Sequence, residues 1–485
     1  MNIGLIVILS IIGALLLLIL FMAVRCLLIK PAPEGKKPAD LPQLDKNIIA
    51  GHLSEAVRIP TVSLSNINED GSVFLDYHKF LENAYPIFHR TATKEIVNKY
   101  TLFYTIKGKN PNLKPGCFLA HQDVVPADDN GWEVPAFSGE IKDGYVYGRG
   151  SQDMKGQMIA LMEAMEKLLS EGFKPDRDMY FIFGHDEEPN TSDGALQAVK
   201  LLEKRGITLD YVIDEGGTIL DGRLIGVPKT IGLIGTCEKG YMDVKLTVTR
   251  DGGHASNPRK PTSLAILGRA IYKIENHPSK TKWTKSSKEM FKYLTPYMPH
   301  ALKFVFANRD ILSPLIKFVL KIAHPVTNSI VRTTYAPTLA KGSDATNVIP
   351  KTSTANINCR ILTGESSDEV LARIQKIAGK NVVCEKIGTV TEPTPVSNTN
   401  SDAYKMLTQS IGNAFPELIL APYPFIAGTD SRYFYPICEN VFRFTPFLVS
   451  LEDQNRIHGI NERNSVDGML RATQFFIIAI KTLSE

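Results

Sequence analysis

The chain has 485 residues, 44% hydrophobic and 22% charged, with a formal net charge of +4. That length exceeds one ordinary domain, and the composition is that of a globular protein. The small net charge and the lack of a dominant basic block exclude a dedicated nucleic-acid binder. Six scattered cysteines with no C-x-x-C pair exclude a cysteine zinc site and indicate no disulfide framework.

Residues 3–24 are apolar and uncharged, a run long enough to span a bilayer as a helix. No Lys or Arg precedes the run, the apolar stretch is long, and Arg25 follows it directly. These features favour an uncleaved anchor over a cleaved signal peptide. The cations Arg25, Lys30, Lys36 and Lys37 follow the run, which by the positive-inside rule keeps the rest cytoplasmic. That rule is statistical, so the side stays open. Pro31, Pro33, Pro38 and Pro42 make residues 25–44 a stiff linker.

A first catalytic segment is expected over 45–236. Leu102, Tyr104 and Ile106 alternate as a strand, and Cys117–Ala120 is a short apolar strand running into His121. Met158, Leu161, Met162, Met165, Leu168 and Leu169 share one face of a helix stopped by Gly172, so these methionines read as core. Asp178–Phe183 is the next strand, Ala195–Lys204 a helix, and Tyr211–Ile213 a strand ending at Asp214. Strand, acidic loop, helix and strand in alternation predict a mixed α/β sheet with helices on both faces.

Near Cys237 the pattern changes. Met242, Val244, Leu246 and Val248 alternate, as do Ala355, Ile357, Cys359 and Ile361. Two helical faces lie among them. This β-α-β repetition predicts a small inserted α+β, ferredoxin-like domain over 237–388, with the catalytic segment resuming over 389–485. A basic and then apolar insert interrupts it at about 280–335. It is expected to be extra helical packing for that domain rather than a membrane-surface element.

The chemistry concentrates between His121 and Glu188. His121-Gln122-Asp123, Asp153-Met154-Lys155-Gly156 and Glu187-Glu188 each follow a strand or a Gly-rich turn. A two-metal hydrolase needs a bridging carboxylate, terminal His and acidic ligands, and a separate base. Adjacent Glu187 and Glu188 can divide ligation from proton transfer, and Asp123 can orient His121. Asn190-Thr191-Ser192 fits a glycosylation sequon, but a glycan there would obstruct the expected base.

Six runs carry a resemblance: Leu119–Pro126, Gly148–Gly156, Asp186–Glu188, Asp214–Gly217, Gly253–Ser256 and Gly428–Ser431. Over residues 45 to the end the chain resembles the co-catalytic zinc peptidases that include aminoacylase, carnosinase and glutamate carboxypeptidase. Within them it is most similar to the branch of Gly-X carboxypeptidase and N-fatty-acyl-amino-acid synthase/hydrolase. The resemblance implies two zinc ions, with cobalt or manganese able to use the same ligands. It implies His121 and Asp214 on one ion, Glu188 and His458 on the other, and Asp153 between them. Glu187 would be the base, Asp123 the orienter of His121, and His254 an oxyanion donor, often toward a partner subunit's site. Asn347 and Arg360 would bind the substrate carboxylate, with Gly428 and Thr429 facing the substrate.

The expected function is hydrolysis of an amide bond next to a free carboxylate, in a small peptide or an N-acyl amino acid. A homodimer through the inserted lid domain is among the expected assemblies. The alternative is a membrane-tethered binding protein that kept the fold and lost turnover.

Overall fold

Three neighbouring strands, Gly116–His121, Met179–Gly184 and Tyr211–Asp214, are buried at every position. They run parallel, so their carboxyl ends open on one edge of the sheet. Near-continuous apolar runs are what a parallel core covered on both faces requires. The structure is a computed structural model, and it describes residues 3–31, 40–65, 68–189 and 191–485. Residues 32–39 of the Pro-rich linker and Asn190 of the sequon lie outside these.

Among the described residues the main sheet has nine strands. Its order is Thr93–Val97, Thr101–Ile106, Met179–Gly184, Gly116–His121, Tyr211–Asp214, Val441–Arg443, Thr230–Glu238 and Ile419–Phe425. Thr218–Asp221 pairs with Thr230–Glu238 off this path. Antiparallel pairs at the Thr93–Val97 end, and between Val441–Arg443 and Thr230–Glu238, make the sheet mixed. Helices Lys46–Arg58, Lys155–Ser170, Asp402–Ala414 and Val466–Leu483 cover one face, where Met158, Met162 and Met165 are fully buried. Helix Ala195–Lys204 covers part of the other face. Strand residues facing these layers pack ring on ring, as where Phe118 stacks on Phe181 at 5.7 Å.

A second sheet runs Thr334–Lys341, Thr352–Ile361, Gly240–Thr249 and Val383–Thr391, antiparallel throughout. Alternation along Gly240–Thr249 and Thr352–Ile361 buries one side of each strand. Helices Ser263–Asn276 and Ser367–Ala378 cover that side and share a separate core with it. Thr262 caps the first helix, and Ser366 with Glu369 forms a capping box on the second.

The insert differs from expectation. Its helices Lys285–Leu294, His300–Ala307, Ser313–Ala323 and Pro325–Ile330 pack against the end strand Ile419–Phe425 of the main sheet and its neighbour. Ile419, Ala421 and Tyr423 present an apolar face there, and Phe291, stacked on Phe306 at 4.7 Å, covers it. An apolar sheet face of that kind would otherwise meet water, and the insert covers it.

The N-terminal helix Ile3–Leu28 has 26 residues, and Met22 is its only buried side chain. Its C-terminal end docks on the insert. The Asn308 side-chain amide donates to the Met22 carbonyl at 3.1 Å, and Arg25 pairs with Asp310 at 3.0 Å.

Candidate active site

The parallel strands decide where the site forms. Gly116–His121 ends at His121, Met179–Gly184 runs into Glu187 and Glu188, and Tyr211–Asp214 runs into Glu215. Loops at the carboxyl ends of adjacent parallel strands converge, and this is where α/β sheets bind ligands. Asp153 comes from the turn before helix Lys155–Ser170, and His458 from the loop before strand Arg463–Ser465.

Asp153 lies between the two imidazoles. One of its oxygens is 3.1 Å from His121 Nε2 and the other 3.0 Å from His458 Nε2. His458 Nε2 is also 3.1 Å from the Glu188 carboxylate. His121 Nε2 is 3.3 Å from Glu215 Oε1. His121, Asp153 and Glu188 can all reach one point, as can His121, Glu187 and Glu215. His121 Nδ1 donates to the Asp123 backbone carbonyl at 2.9 Å, which leaves Nε2 with its lone pair toward the cluster. The Asp123 carboxylate is 3.5 Å from the same Nδ1. It also accepts from Ser63 Oγ and from the backbone N–H of Glu187 and Glu188. One buried acid therefore sets both the imidazole and the Glu187-Glu188 turn.

A model of the peptidase family M20/M25/M40 matches residues 117–482. The chain belongs to this family. The N-fatty-acyl-amino acid synthase/hydrolase PM20D1 of Homo sapiens is 36% identical over 435 residues, covering 88% of this chain and 86% of that protein. The probable carboxypeptidase S-like 2 of Dictyostelium discoideum is 35% identical over 440 residues, covering 89% and 84%. Human carnosine dipeptidase 1 superposes with a TM-score of 0.65 at 16% identity, over 90% of this chain and 96% of that one. An M20 metallo-carboxypeptidase from Sulfolobus solfataricus gives 0.65 at 17% identity, over 91% and 100%. The fold is thus the α/β fold of the M20 peptidases, and the chain is an enzyme of a metal-dependent hydrolase family.

The donor set fits divalent cations. Four carboxylates, Asp153, Glu187, Glu188 and Glu215, surround two imidazoles in a largely buried cleft. Burial pushes Glu187 well above the usual carboxylate range, with the nearby Glu215 adding to it. Burial, then the charge of Asp153, pushes Glu215 up to about 8. Hydrogen bonds to Asp153 and Glu188 raise His458 to about 10. Acids that hold protons against a neutral-pH solvent are the ones a pair of cations would relieve.

Asp214, expected as a ligand, is buried at the end of its strand beside Glu215. Its carboxylate accepts from the backbone N–H of Glu215 and of Ser431, both at 2.9 Å. Asp214 is the last residue of its strand, so the following side chain leaves on the opposite side, and Glu215 is the one that reaches His121. Thr429 is buried beneath the cleft, donating to Glu238 Oε1 at 2.8 Å. Gly428 runs so close to Arg432 that a Cβ would meet its Nη1 at 2.7 Å. Arg432 Nη2 lies 3.7 Å from Glu187 Oε1, a contact with no signal in the sequence beyond its place after the Gly428–Ser431 run. Glu462 accepts from the Asp153 N–H at 3.2 Å and pairs with buried Arg149 at 2.6 Å.

The second sheet contributes unequally. Arg360 is half-buried, with its guanidinium over the Tyr241 ring at 4.9 Å, and burial lowers its pKa. His254 and Asn347 sit together at a separate, exposed two-stranded ladder of Gly253–His254 with Val348–Ile349, joined by Ala255 N–H donating to the Asn347 carbonyl at 2.9 Å. His254 Nδ1 bonds to Ser256 Oγ at 2.7 Å, and neither residue touches the cluster.

Proposed function

We propose that the protein hydrolyses an amide bond next to a free carboxylate, in an N-acyl amino acid or a small peptide, with two divalent cations. The observation that carries this is Asp153, whose two oxygens face different imidazoles while Glu187 stands beside them. His121 and Glu215 would hold one ion, Glu188 and His458 the other, and Asp153 both. Zinc suits these nitrogen and oxygen donors, and cobalt or manganese suits the same set. When bound, such a pair supplies Lewis acidity at the carbonyl and a water ionised near neutral pH.

The chain's own groups do the rest. Glu187 accepts the proton of the attacking water and returns it to the leaving nitrogen as the C–N bond breaks. Its burial raises its proton affinity, which makes its carboxylate a stronger base toward the attacking water. Asp123 holds Glu187 and Glu188 through their N–H groups, so base and ligand move as one unit. Arg432 keeps the Glu187 carboxylate in place, and Gly428 leaves it room to do so. Arg360 offers two parallel hydrogen bonds to the substrate carboxylate. Thr429 supports the substrate-facing loop from below. His254 and Asn347 act from their two-stranded ladder in the lid on substrate held by a second copy, since both are exposed and the His254 side chain bonds only to its neighbour Ser256 among the described residues.

An acyl group of lipid character is favoured by the names of the relatives and by the apolar N-terminal helix. That helix is read as an uncleaved anchor. About 20 residues span a bilayer, and this helix offers a longer, almost wholly exposed apolar length. The binding-protein alternative requires a missing ligand or base, and the sequence carries a residue for each of these roles.

The test uses the full chain in detergent micelles. Bound metal is measured, and hydrolysis is followed over a panel from Gly-Leu to N-oleoyl-phenylalanine, with Glu187→Gln as control. Turnover that is greatest on the long-chain N-acyl amino acids and lost in the control, with metal retained, is the expected result. A wide preference for Gly-Leu would sink the substrate assignment, and activity surviving in Glu187→Gln would sink the mechanism.

A further inference from the structure

Helix Ser313–Ala323 is apolar on two faces. Ile316 and Leu320 point into the core that the insert shares with the main sheet. On the other side Leu315, Phe318, Val319 and Ile322 are exposed, Phe318 at 58% and Ile322 at 63%. Ile311 before the helix and Val326 after it are exposed too. Within the helix, 315, 318, 319 and 322 have the i, i+3, i+4, i+7 spacing of one helical face. Soluble proteins rarely leave a contiguous apolar stripe of this length in water.

Two contacts say what covers it. About 20 residues of helix cross the hydrocarbon of a bilayer, so an anchor that begins at Ile3 emerges near Met22. Met22 is where Asn308 binds the helix, and Arg25, one turn on, is where Asp310 binds it. Residues 308–310 are thereby fixed at the level where the anchor leaves the membrane, and the stripe starts at the next residue, Ile311. The flanking charge is of matching sign. Between 300 and 330 the acid is Asp310, already paired with Arg25, against Lys303, Arg309, Lys317 and Lys321.

We propose that helix Ser313–Ala323 lies in the plane of the bilayer from which the N-terminal helix emerges, with Leu315, Phe318, Val319 and Ile322 in the acyl boundary of an anionic leaflet. An apolar face with lysines at its border is the composition of such in-plane elements. The inference rests on the anchor reading given above and adds a second, independent point of attachment. One helix alone would let the catalytic body swivel, whereas two points hold it in one orientation. Lys239, one residue before the second sheet, binds the carbonyls of Ser329 and Arg332 just beyond the stripe, so the insert is also tied to the junction of the two sheets.

The test is made on the full chain reconstituted in phosphatidylcholine–phosphatidylserine vesicles that carry acyl-chain nitroxide lipids. Cys26 is replaced by Ser, the other five cysteines being buried, and single cysteines carrying an environment-sensitive dye are introduced as Ile12→Cys, Phe318→Cys, Ile322→Cys and Ile96→Cys. Ile96 is exposed on the opposite edge strand of the main sheet. Strong quenching at 12, 318 and 322, with none at 96, is the expected result. Quenching at 12 with positions 318 and 322 behaving like 96 overturns the proposal and leaves the anchor standing. Dye at 318 that is shielded from aqueous iodide yet unquenched by lipid also overturns it, in favour of a second copy over the stripe. No quenching at 12 removes the anchor reading. In that case quenching at 318 still supports an in-plane helix, and its absence overturns both.

Discussion

Neutralising Glu215 and Asp214 separately tests the ligand set where two adjacent acids compete for one role. Glu215 Oε1 lies 3.3 Å from His121 Nε2, whereas the Asp214 carboxylate is occupied by two backbone N–H groups. Four protein ligands hold a zinc ion with about 10–16 kcal/mol, so one ligand is worth roughly 3 kcal/mol, or about two orders of magnitude in affinity. Glu215→Gln keeps the shape and removes the charge, so one of the two ions should be lost to a chelator that wild type resists. Asp214→Asn turns an amide N–H toward one backbone donor and leaves that donor unsatisfied, at about 1–3 kcal/mol of stability. Its metal content should not change. The assay is metal per chain after dialysis against graded chelator, with thermal unfolding alongside. Metal loss in Asp214→Asn together with full occupancy in Glu215→Gln would refute the assignment.

Gly428→Ala puts a methyl 2.7 Å from Arg432 Nη1 and displaces that side chain from Glu187. Because the clash is with a flexible end, the thermal midpoint should hold while kcat falls by about 10–100-fold. Lys239 is buried, and this lowers its pKa to about 7. Between that value and the unfolded value of about 10.4 the unfolded chain holds more protons, so stability rises with pH there by up to about 1.4 kcal/mol per unit. Lys239→Met should flatten this slope in unfolding followed between about pH 7 and about pH 9, and an unchanged slope would mean Lys239 is not its source. If His254 serves a partner's cluster, equal mixing of Glu187→Gln with His254→Ala should restore about a quarter of wild-type turnover, since half the dimers carry one complete site. No recovery after subunit exchange would assign His254 to its own chain or to no role.

What the sequence made legible follows from the physics of each signal. Parallel strands buried on both faces must be apolar throughout, so Gly116–His121 and Tyr211–Asp214 stand out as short apolar runs, and the acids after them mark the open edge. Helix Ala195–Lys204 and the methionine-rich face of Lys155–Ser170 are equally plain because their period is 3.6. The phase of a strand end is a different matter. Whether Asp214 or Glu215 enters the cleft depends on where the strand stops, which neighbouring strands decide. Arg432 and Glu462 act on Glu187 and Asp153 across the fold, Glu462 from 309 residues away, and no local pattern records such a distance. The insert's composition was readable, but its target was not, because an apolar helix face fits the second sheet and the edge strand Ile419–Phe425 equally well.

The dipeptide Glu238-Lys239 draws these parts together. It ends strand Thr230–Glu238 of the main sheet, one residue before the second sheet begins at Gly240. Glu238 faces the site, accepting from Thr429 at 2.8 Å and from the wholly buried Arg443 at 2.5 Å. Thr429 in turn shares Ser431 with Asp214, the residue whose backbone leads to Glu215. Lys239 faces the other way, into the carbonyls that end the insert. Two opposite charges at adjacent buried positions do not pair with each other. Each is satisfied by a different body, so a shift of the second sheet at this junction must disturb both the floor of the cleft and the insert's attachment. Leaving the buried Lys239 amine without its two carbonyl partners costs about 1–3 kcal/mol, which opposes independent motion of the insert and the second sheet at this junction.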